Sequence, residues 1–303
     1  MRRNFTTLFD SRYLAKGVVM LQSLIRESFD RHTIHVLAMD ENCESVLREL
    51  NIKGVIVHAL KDFEALAGMH NVRATRNWTE YCWTCASVFT EFVLQICSGR
   101  VTYLDADLMF FADPELIFTE IGTKSIGITP HRFAKKDEPR LLPNGRFNVQ
   151  WVTFHGEVGE ACLKRWAKQC RDWCYYTNDG GKFGDQGYLD EWPTRYAGEV
   201  CEIANPGAGL APWNVANHIV EKVGDVVMAD NYTVIFYHYH ELQEQESGLY
   251  RLTNWKLRDR DKELIYAPYL KALDKWKALL AATDTRKYFG PESILNAPVH
   301  LQT

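Results

Sequence analysis

The N-terminal part of the chain alternates between apolar runs of strand length and amphipathic segments of helical spacing. The apolar runs cover residues 4–9, 33–39 and 54–60. Between them, an apolar stripe of helical spacing covers residues 14–25, and a second helix is predicted at 40–50. Strands that alternate with helices in this way are typical of parallel sheets, so the sequence predicts an α/β fold.

The pattern then predicts one long apolar helix and a buried strand. The helix covers residues 76–98, and the apolar run 101–111 that follows it is interpreted as a single strand. The polar segment 131–146 contains prolines and a glycine and is predicted to be a long, flexible loop of the functional kind. The other predicted elements are helices at 62–67, 114–121, 156–174 and 262–281 and strands at 125–129, 147–154 and 233–240.

Two aspartates interrupt the apolar run 101–111. Carboxylates are rarely buried unless they are paired or bind a metal, so Asp105 and Asp107 need a partner. In an extended strand the side chains at i and i+2 share a face, roughly 6–7 Å apart, and both can reach one hard cation. The pattern favours a metal or catalytic role, and the alternative is a strand end whose acids cap the next loop.

Two further polar clusters are candidates for chemistry. His238 and His240 share a face of the last predicted strand, where imidazoles can be metal ligands or structural groups. Asp185 and Gln186 follow a glycine-rich turn and begin a short helix, where Asp185 is either a functional group or the N-cap. The sequence leaves both alternatives open.

The carboxyl end of the first strand is the third candidate, because ligands of open α/β sheets bind at strand carboxyl ends. Neither a dinucleotide fingerprint nor a phosphate-binding P-loop is present. An aspartate and an aromatic ring could instead bind a base, although Asp10 could equally be an N-cap. The residues at this strand end are Thr7, Leu8, Asp10, Ser11 and Tyr13.

Composition narrows the functional classes. The formal net charge of −4 over 303 residues makes a general nucleic-acid binder improbable, so no nucleic acid partner is expected. The eight cysteines show no disulfide framework, and neither an apolar leader nor a membrane span is found, which predicts a cytoplasmic protein. Four cysteines form two close pairs, which we interpret as core rather than as zinc or redox sites: Cys82, Cys85, Cys170 and Cys174.

The C-terminal segment differs from the rest in composition. Residues 250–288 contain ten Lys or Arg against five Asp or Glu, interleaved with aromatic side chains. This composition indicates peripheral contact with an anionic membrane surface, and the alternative is an ordinary helix that packs on the domain. The aromatic residues are Tyr250, Trp255, Tyr266, Tyr269, Trp276 and Tyr288.

Taken together, these motifs resemble the GT-A glycosyltransferases, especially the retaining family 8 enzymes and related bacterial lipopolysaccharide and capsule sugar transferases. The strongest part of the resemblance is the Asp-x-Asp motif at 103–107, supported by Phe147-Asn148, Gly184-Asp185-Gln186, Trp213-Asn214 and the late His238. The resemblance implies a single GT-A, Rossmann-like nucleotide-diphospho-sugar transferase domain over 1–245. It has a mixed central sheet and is followed by a helical extension at 246–303.

The resemblance also implies a function and a role for each candidate residue. It implies a UDP-sugar-dependent hexosyltransferase that acts with retention on a glycan or lipid-linked acceptor in surface polysaccharide synthesis, at the cytoplasmic face of the inner membrane. The carboxylate and imidazole ligands that the resemblance implies suit Mn²⁺ or Mg²⁺. The implied metal ligands are Asp105, Asp107, His238 and His240, and the implied catalytic pair is Asp185 and Gln186. The implied donor-binding residues are Thr7, Leu8, Asp10, Tyr13, Asp105, Ala106, Asp107 and Lys182. The implied acceptor-binding residues are Asn148, Trp213 and Asn214.

One departure from the family pattern concerns the diphosphate. The family often carries a lysine shortly after the late histidine, and here residues 241–245 contain none. Another cation must then meet the diphosphate, and the candidates are Arg132, Lys135, Lys136, Arg140, Arg146 and Lys182.

Three rival functions stay open at this stage. An inverting transferase would use Asp185 as general base. A non-catalytic nucleotide-sugar binding protein could share the fold. A haloacid-dehalogenase type phosphatase also carries a strand-Asp-x-Asp motif, but there Thr or Val usually follows the second aspartate, whereas Leu108 follows here.

Overall fold

A seven-stranded mixed sheet forms the centre of the protein, whose computed structural model describes residues 3–28 and 32–282. The described strands, numbered along the chain, are β1 (Arg3–Phe9), β2 (His32–Ala38), β3 (Val55–Ala59), β4 (Val101–Leu104), β5 (Leu108–Phe110), β6 (Ile126–Pro130), β7 (Phe147–Phe154), β8 (Val200–Glu202), β9 (Ala208–Leu210), β10 (Val220–Val223), β11 (Val226–Ala229), β12 (Tyr232–Thr233), β13 (Phe236–His238), β14 (Gln243–Glu244) and β15 (Tyr250–Arg251). The central sheet has the order β3-β2-β1-β4-β7-β6-β8. Its first four strands are parallel, and β7 is antiparallel to both neighbours.

Helices cover both faces of this sheet. The described helices are α1 (Leu14–Ser28), α2 (Glu41–Leu50), α3 (Leu60–Ala67), α4 (His70–Arg73), α5 (Trp78–Ile96), α6 (Glu115–Ile121), α7 (Leu141–Asn144), α8 (Gly156–Asp172), α9 (Trp192–Arg195), α10 (Asp259–Asp261) and α11 (Ala267–Ala281). Alternate residues of β1 face opposite layers, because Phe5 and Phe9 pack with α1, α2 and α11, whereas Leu8 packs with α3, α5 and α8. The protein is therefore a three-layer α/β/α structure.

The predicted β-α-β-α-β unit is confirmed. Strands β1, β2 and β3 pair in parallel with α1 and α2 between them. Asp40 caps α2, since its carboxylate accepts a hydrogen bond from the Cys43 amide at 2.7 Å. These local signals bring the carboxyl ends of β1 and β4 together at one edge of the sheet.

Two predicted strands are each divided in the structure. The run 101–111 forms β4 in the central sheet and β5 in a separate three-stranded sheet, β5-β13-β9. The run 233–240 is likewise shared between β12 and β13. The prediction of one continuous strand at 101–111 is therefore wrong, because the chain leaves the central sheet at the aspartates and enters the smaller one.

The segment 131–146 is more ordered than the predicted long loop. It contains a 3₁₀ turn at Lys135–Arg140 and the short helix α7. His131, which precedes the turn, is buried, and its amide donates a hydrogen bond to the Arg146 carbonyl at 2.9 Å. Both ends of the segment are thereby held together beside the sheet.

The cysteines of the two close pairs belong to the hydrophobic core. Cys85, Cys170 and Cys174 are fully buried in the layer of α5 and α8, and Cys82 packs against it. All eight cysteines are free thiols. The core interpretation of these cysteines is confirmed.

The C-terminal helix packs on the domain. A π turn at Lys262–Tyr266 leads into α11, whose Tyr269 and Trp276 are buried in the same core as α1. Tyr266 is also buried there, so these three aromatic rings cannot contact a membrane surface. Residues 283–303, including Tyr288, lie outside the described residues, and the domain boundary at 245 stays a prediction. No helix among residues 3–28 and 32–282 is both long enough and apolar enough to cross a bilayer.

Candidate active site

A cavity of about 550 Å³ opens at the carboxyl ends of β1 and β4. Its walls come from the loop after β1, the turn after β4, the N-terminal part of α5 and the turn that precedes the 3₁₀ helix Gln186–Glu191. Ligands of α/β sheets bind in this position. The sequence-predicted residues that line it are Leu8, Asp10, Tyr13, Asp105, Ala106, Asp107, Arg140, Asn148, Asp185, Gln186, Trp213, His238 and His240.

The Asp-x-Asp motif forms a turn between β4 and β5 rather than part of an extended strand. The Asp105 amide donates to the Gln150 carbonyl at 3.2 Å, and the Tyr239 amide donates to the Asp107 carbonyl at 2.9 Å. The predicted placement of both carboxylates on one strand face is therefore wrong. The turn nevertheless points both side chains at His238.

Asp105, Asp107 and His238 form a compact group in which one ligand atom of each lies within 4.8 Å of the others. His238 Nε2 lies 3.1 Å from Asp107 Oδ1 and 3.8 Å from Asp105 Oδ2. The His238 side chain is 4% exposed, whereas that of Asp105 is 27% exposed and reaches the cavity. Two carboxylates and one imidazole are a suitable ligand set for a hard divalent cation.

Charge and burial set the protonation of this group. Burial alone would raise the pKa of Asp107, but the charge and hydrogen bond of His238 hold it well below the usual range. Burial lowers the pKa of His238, and the two carboxylates outweigh that effect and raise it. For Asp105 burial dominates over the opposing His238 charge, and with the help of Asp107 it raises the pKa to about 6. Asp107 therefore keeps its negative charge at neutral pH.

His240 lies at the edge of this group. Its ring centroid is 5.6 Å from that of His238, and Trp213 contacts both rings edge-on at 5.4 Å. Burial lowers the pKa of His240, and the charge of His238 adds to this effect. His240 lines the cavity but does not belong to the compact three-residue group, so its role as a ligand stays a prediction.

The end of the cavity beside β1 carries Asp10 and Tyr13. Asp10 accepts hydrogen bonds from the Arg12 and Tyr13 amides at 3.0 and 3.2 Å, and from Trp78 Nε1 at 2.8 Å. It therefore both caps the turn before α1 and lines the cavity. Tyr13 is 43% exposed, and its ring can stack on a flat ligand. Thr7 is buried within the sheet and does not line the cavity.

Trp78 is a site residue that the sequence analysis missed. Asn77 and Glu80 form a capping box, which begins α5 at Trp78 and places the indole beside Asp10. The capping box is visible in the sequence and could have located this tryptophan at a helix N-terminus. Its distance from Asp10 along the chain concealed the contact.

Asp185 is buried at the start of the 3₁₀ helix, 7% exposed, and its side chain makes no capping hydrogen bond. Burial, together with the charge of Asp105, raises the pKa of Asp185 to about 8. Gln186 lies beside it, and its side chain accepts from Asn148 Nδ2 at 3.3 Å and donates to the Asn144 carbonyl at 2.7 Å. Asp185 thus stands at the N-cap position without a side-chain capping bond, and it lines the cavity.

Gly184 holds this turn against Trp83. Its φ is +53°, and a Cβ there would lie 3.0 Å from the Trp83 ring, whereas Gly180 has a φ of +57° with nothing within 4 Å. We expect Gly184→Ala to destabilise the protein by about 2 kcal/mol and Gly180→Ala by about 1 kcal/mol, because only the first adds a clash to the strain. Urea unfolding of both variants measures the difference. Equal losses would mean that the contact with Trp83 is unimportant.

Most of the predicted diphosphate cations are engaged elsewhere. The guanidinium of Arg132 donates to the carbonyls of Asn205 and Ala208, and Arg146 pairs with Glu202 at 3.1 Å. Lys182 is exposed, with its ammonium 5.1 Å from the Trp173 ring centroid, and lines no part of the cavity. Lys135 and Lys136 are also exposed and outside the cavity. Of the six candidates only Arg140 lines it, 4.5 Å above the Trp255 ring.

Aromatic rings form the outer walls of the cavity. Trp83 and Tyr176 stack at 5.3 Å beside the Gly184–Asp185 turn, and Phe133 and Trp255 form a second stack at 5.9 Å. The sequence analysis missed these pairs because each joins residues that are distant along the chain. They offer flat apolar surfaces of the kind on which sugar rings stack.

Asn214 has a different place from the one predicted. It is fully buried, its side chain donates to the carbonyls of His131 and Gly209, and it accepts from the Ala211 amide. Asn214 does not line the cavity and instead fixes the loop that presents Trp213. The structure thus gives it a positioning role rather than a direct contact with an acceptor.

No protein-family model matches the chain. Two relatives are similar to it over most of its length. YfnF of Bacillus subtilis strain 168 is 33% identical over 252 residues, which is 79% of this chain and 81% of YfnF. YfnD of the same organism is 30% identical over 289 residues, which is 90% of this chain and 89% of YfnD. Both are described as uncharacterized proteins, so they show which family the chain belongs to but indicate no activity.

Solved structures establish the fold. The galactosyltransferase LgtC, in complex with donor and acceptor sugar analogs, matches with a TM-score of 0.55 at 16% identity, over 90% of this chain and 95% of LgtC. The glycosyltransferase GlyE of Streptococcus pneumoniae TIGR4 matches with a TM-score of 0.51 at 14% identity, over 92% of this chain and 64% of GlyE. The chain therefore belongs to the same family as YfnF and YfnD, and it has the GT-A glycosyltransferase fold.

Proposed function

We propose that the protein is a metal-dependent glycosyltransferase that moves a hexose from a UDP-sugar to a glycan or lipid-linked acceptor, with retention of configuration. The observation that carries the proposal is the convergence of two groups on one cavity of a GT-A fold. The Asp105, Asp107 and His238 group lies on one side, and Asp185 and Gln186 lie beside it. Cleavage of a sugar–diphosphate bond requires a cation at the diphosphate and polar side chains at the sugar. The first group offers ligands for such a cation, and Asp185 and Gln186 offer the polar side chains.

The residues present fit a divalent cation such as Mn²⁺ or Mg²⁺. Asp105 and Asp107 would supply oxygen ligands and His238 would supply Nε2, which already faces both carboxylates. When bound, such a cation neutralises the charge that grows on a departing diphosphate. The assignment of Mn²⁺ over Mg²⁺ belongs to the proposal.

The chain's own residues would hold the nucleotide at the β1 end. Tyr13 offers an exposed ring for stacking on the base, and Leu8 forms the adjoining apolar wall. The Asp10 carboxylate accepts hydrogen bonds from the side chains of Arg12 and Trp78, which fix its orientation. In this orientation Asp10 would face the base. Uracil as the base is inferred from the resemblance.

The raised pKa of Asp185 favours retention over inversion. With a pKa of about 8, its carboxyl group is mostly protonated at neutral pH and can donate a hydrogen bond to a sugar hydroxyl. A protonated carboxyl cannot serve as the general base that an inverting mechanism needs. Gln186, held by Asn148, would then lie beside the reacting carbon.

The acceptor would enter between the aromatic walls. Trp213 lines the cavity next to His238, and the Phe133–Trp255 stack continues outward from it. Asn148 reaches the same space through its contact with Gln186. We propose a growing surface glycan as acceptor and a place at the cytoplasmic face of the inner membrane, where basic side chains rather than the buried aromatics would make the contact.

A panel of UDP- and GDP-sugars with Mn²⁺, scored for hydrolysis without an acceptor, tests the donor assignment. We expect hydrolysis of at least one UDP-sugar, lost when EDTA removes the metal. The anomeric configuration of the product in a transfer reaction separates retention from inversion. Failure of every nucleotide sugar to bind or react, together with hydrolysis of p-nitrophenyl phosphate, would favour the phosphatase alternative, and binding without turnover would favour a non-catalytic protein.

A further inference from the structure

Lys16 is a partly buried cation beside the metal group that no sequence motif singled out. It lies in the first turn of α1, and its ammonium donates a hydrogen bond to the Leu242 carbonyl at 2.8 Å. The same ammonium lies 4.4 Å from the centroid of the Tyr13 ring, which lines the cavity.

A short backbone path joins this lysine to the metal group. The Leu242 amide donates to the Tyr239 carbonyl at 3.2 Å, and the Tyr239 amide donates to the carbonyl of Asp107 at 2.9 Å. Backbone hydrogen bonds therefore link the acceptor of the Lys16 ammonium to Asp107.

The position of the Lys16 ammonium favours the binding of an anion and disfavours the binding of a metal ion alone. In the part of the chain that the structure describes, Lys16 forms no ion pair within 4 Å, and one carbonyl accepts from an ammonium that has three donors. A positive charge close to metal ligands repels a divalent cation, which weakens metal binding. That cost is offset only when an anion binds between the two positive charges.

We propose that Lys16 is the cation that stabilises the diphosphate of the bound nucleotide, in the role that the chain lacks after His238. The inference rests on the proposed function, because it takes a nucleoside diphosphate as the ligand. Arg132 and Arg146 are engaged elsewhere, Lys182 is exposed outside the cavity, and Arg140 lines the cavity against the Trp255 ring. Lys16 instead contacts the lining residue Tyr13 and hydrogen-bonds to Leu242, in the segment that follows His238. Lys16 is thus a binding residue for the leaving group.

Opposite changes in metal and diphosphate affinity test this role. We expect Lys16→Met, which keeps the length of the side chain, to bind Mn²⁺ about twofold to fivefold more tightly and to bind UDP and inorganic pyrophosphate about tenfold more weakly. Isothermal titration measures Mn²⁺ alone, and then UDP and pyrophosphate at saturating Mn²⁺. Lys16→Arg should restore both affinities to near the wild-type values.

A matched control removes the same charge elsewhere. Lys275 is exposed on α11 and belongs neither to the metal group nor to the segment 239–242, so Lys275→Met should change neither affinity. If Lys16→Met weakens Mn²⁺ and UDP binding together, or changes neither, the inference is overturned while the proposed function survives. If the wild-type protein binds neither UDP nor pyrophosphate with Mn²⁺, the proposed function fails and the inference fails with it.

Discussion

Replacing Asp107 by asparagine is expected to abolish sugar transfer and donor hydrolysis, with a loss of at least about 100-fold in kcat/KM. The pKa of Asp107 lies well below the usual range despite its burial, because of His238, and its Oδ1 lies 3.1 Å from His238 Nε2. Asparagine keeps the shape of the side chain but removes the negative charge that would bind the cation. Turnover of a UDP-sugar and Mn²⁺ titration of the same preparation measure the effect.

The two measurements must change together for the assignment of Asp107 to stand. We expect Mn²⁺ affinity to fall by about 10-fold to 100-fold, in line with losses seen on disturbing metal shells. Asp225→Asn is the matched control, because Asp225 is fully exposed on the β10–β11 turn and the charge change is the same. Wild-type turnover in Asp107→Asn, with native circular dichroism, would show that the metal group does not take part in the reaction.

The parallel half of the fold could be predicted from the sequence because each of its elements carries a local signal. The apolar stripe of α1, the cap at Asp40 and the strand pattern of β1 to β3 all act within a few residues. The division of the run 101–111 carries no such signal. Its apolar residues are buried on both sides of the aspartates, so a change of sheet leaves the hydrophobic pattern unaltered.

The candidate site was predictable in residue type and less so in geometry. The sequence motifs predict Asp105, Asp107 and His238, and the structure brings all three together. The motifs do not indicate that the turn is held by the Gln150 carbonyl and the Tyr239 amide, because both partners are distant in sequence. Lys16 was not predicted, because its partner Leu242 is also distant in sequence. Within α1 it has the pattern of an ordinary surface lysine on an amphipathic helix.

Asp185 is expected to tolerate asparagine better than alanine. We expect kcat/KM to fall about tenfold in Asp185→Asn and at least about 100-fold in Asp185→Ala, because an amide can still donate a hydrogen bond to a sugar hydroxyl and a methyl group cannot. A general base or a nucleophile would lose its function equally in both variants. Hydrolysis of the same UDP-sugar by the two variants distinguishes these roles.

The stability of the metal-free protein provides a second, independent readout for Asp185. Its pKa is raised from 3.8 to about 8, so the folded state keeps a proton that the unfolded state releases. Stability contributed by this proton is present below about pH 4 and is lost as pH rises through about 8. At about 1.36 kcal/mol per pKa unit, and allowing for water in the cavity, the loss between pH 5 and pH 8.5 is on the order of 3 kcal/mol.

Asp185→Asn removes this titrating group, so its free energy of unfolding should exceed that of the wild-type protein by a margin that grows from pH 5 to pH 8.5. Urea unfolding in EDTA at several pH values measures the margin. Parallel curves for the two proteins would mean that Asp185 is already ionised at neutral pH. Retention would then no longer be favoured over inversion, because an ionised Asp185 could act as the base of an inverting reaction.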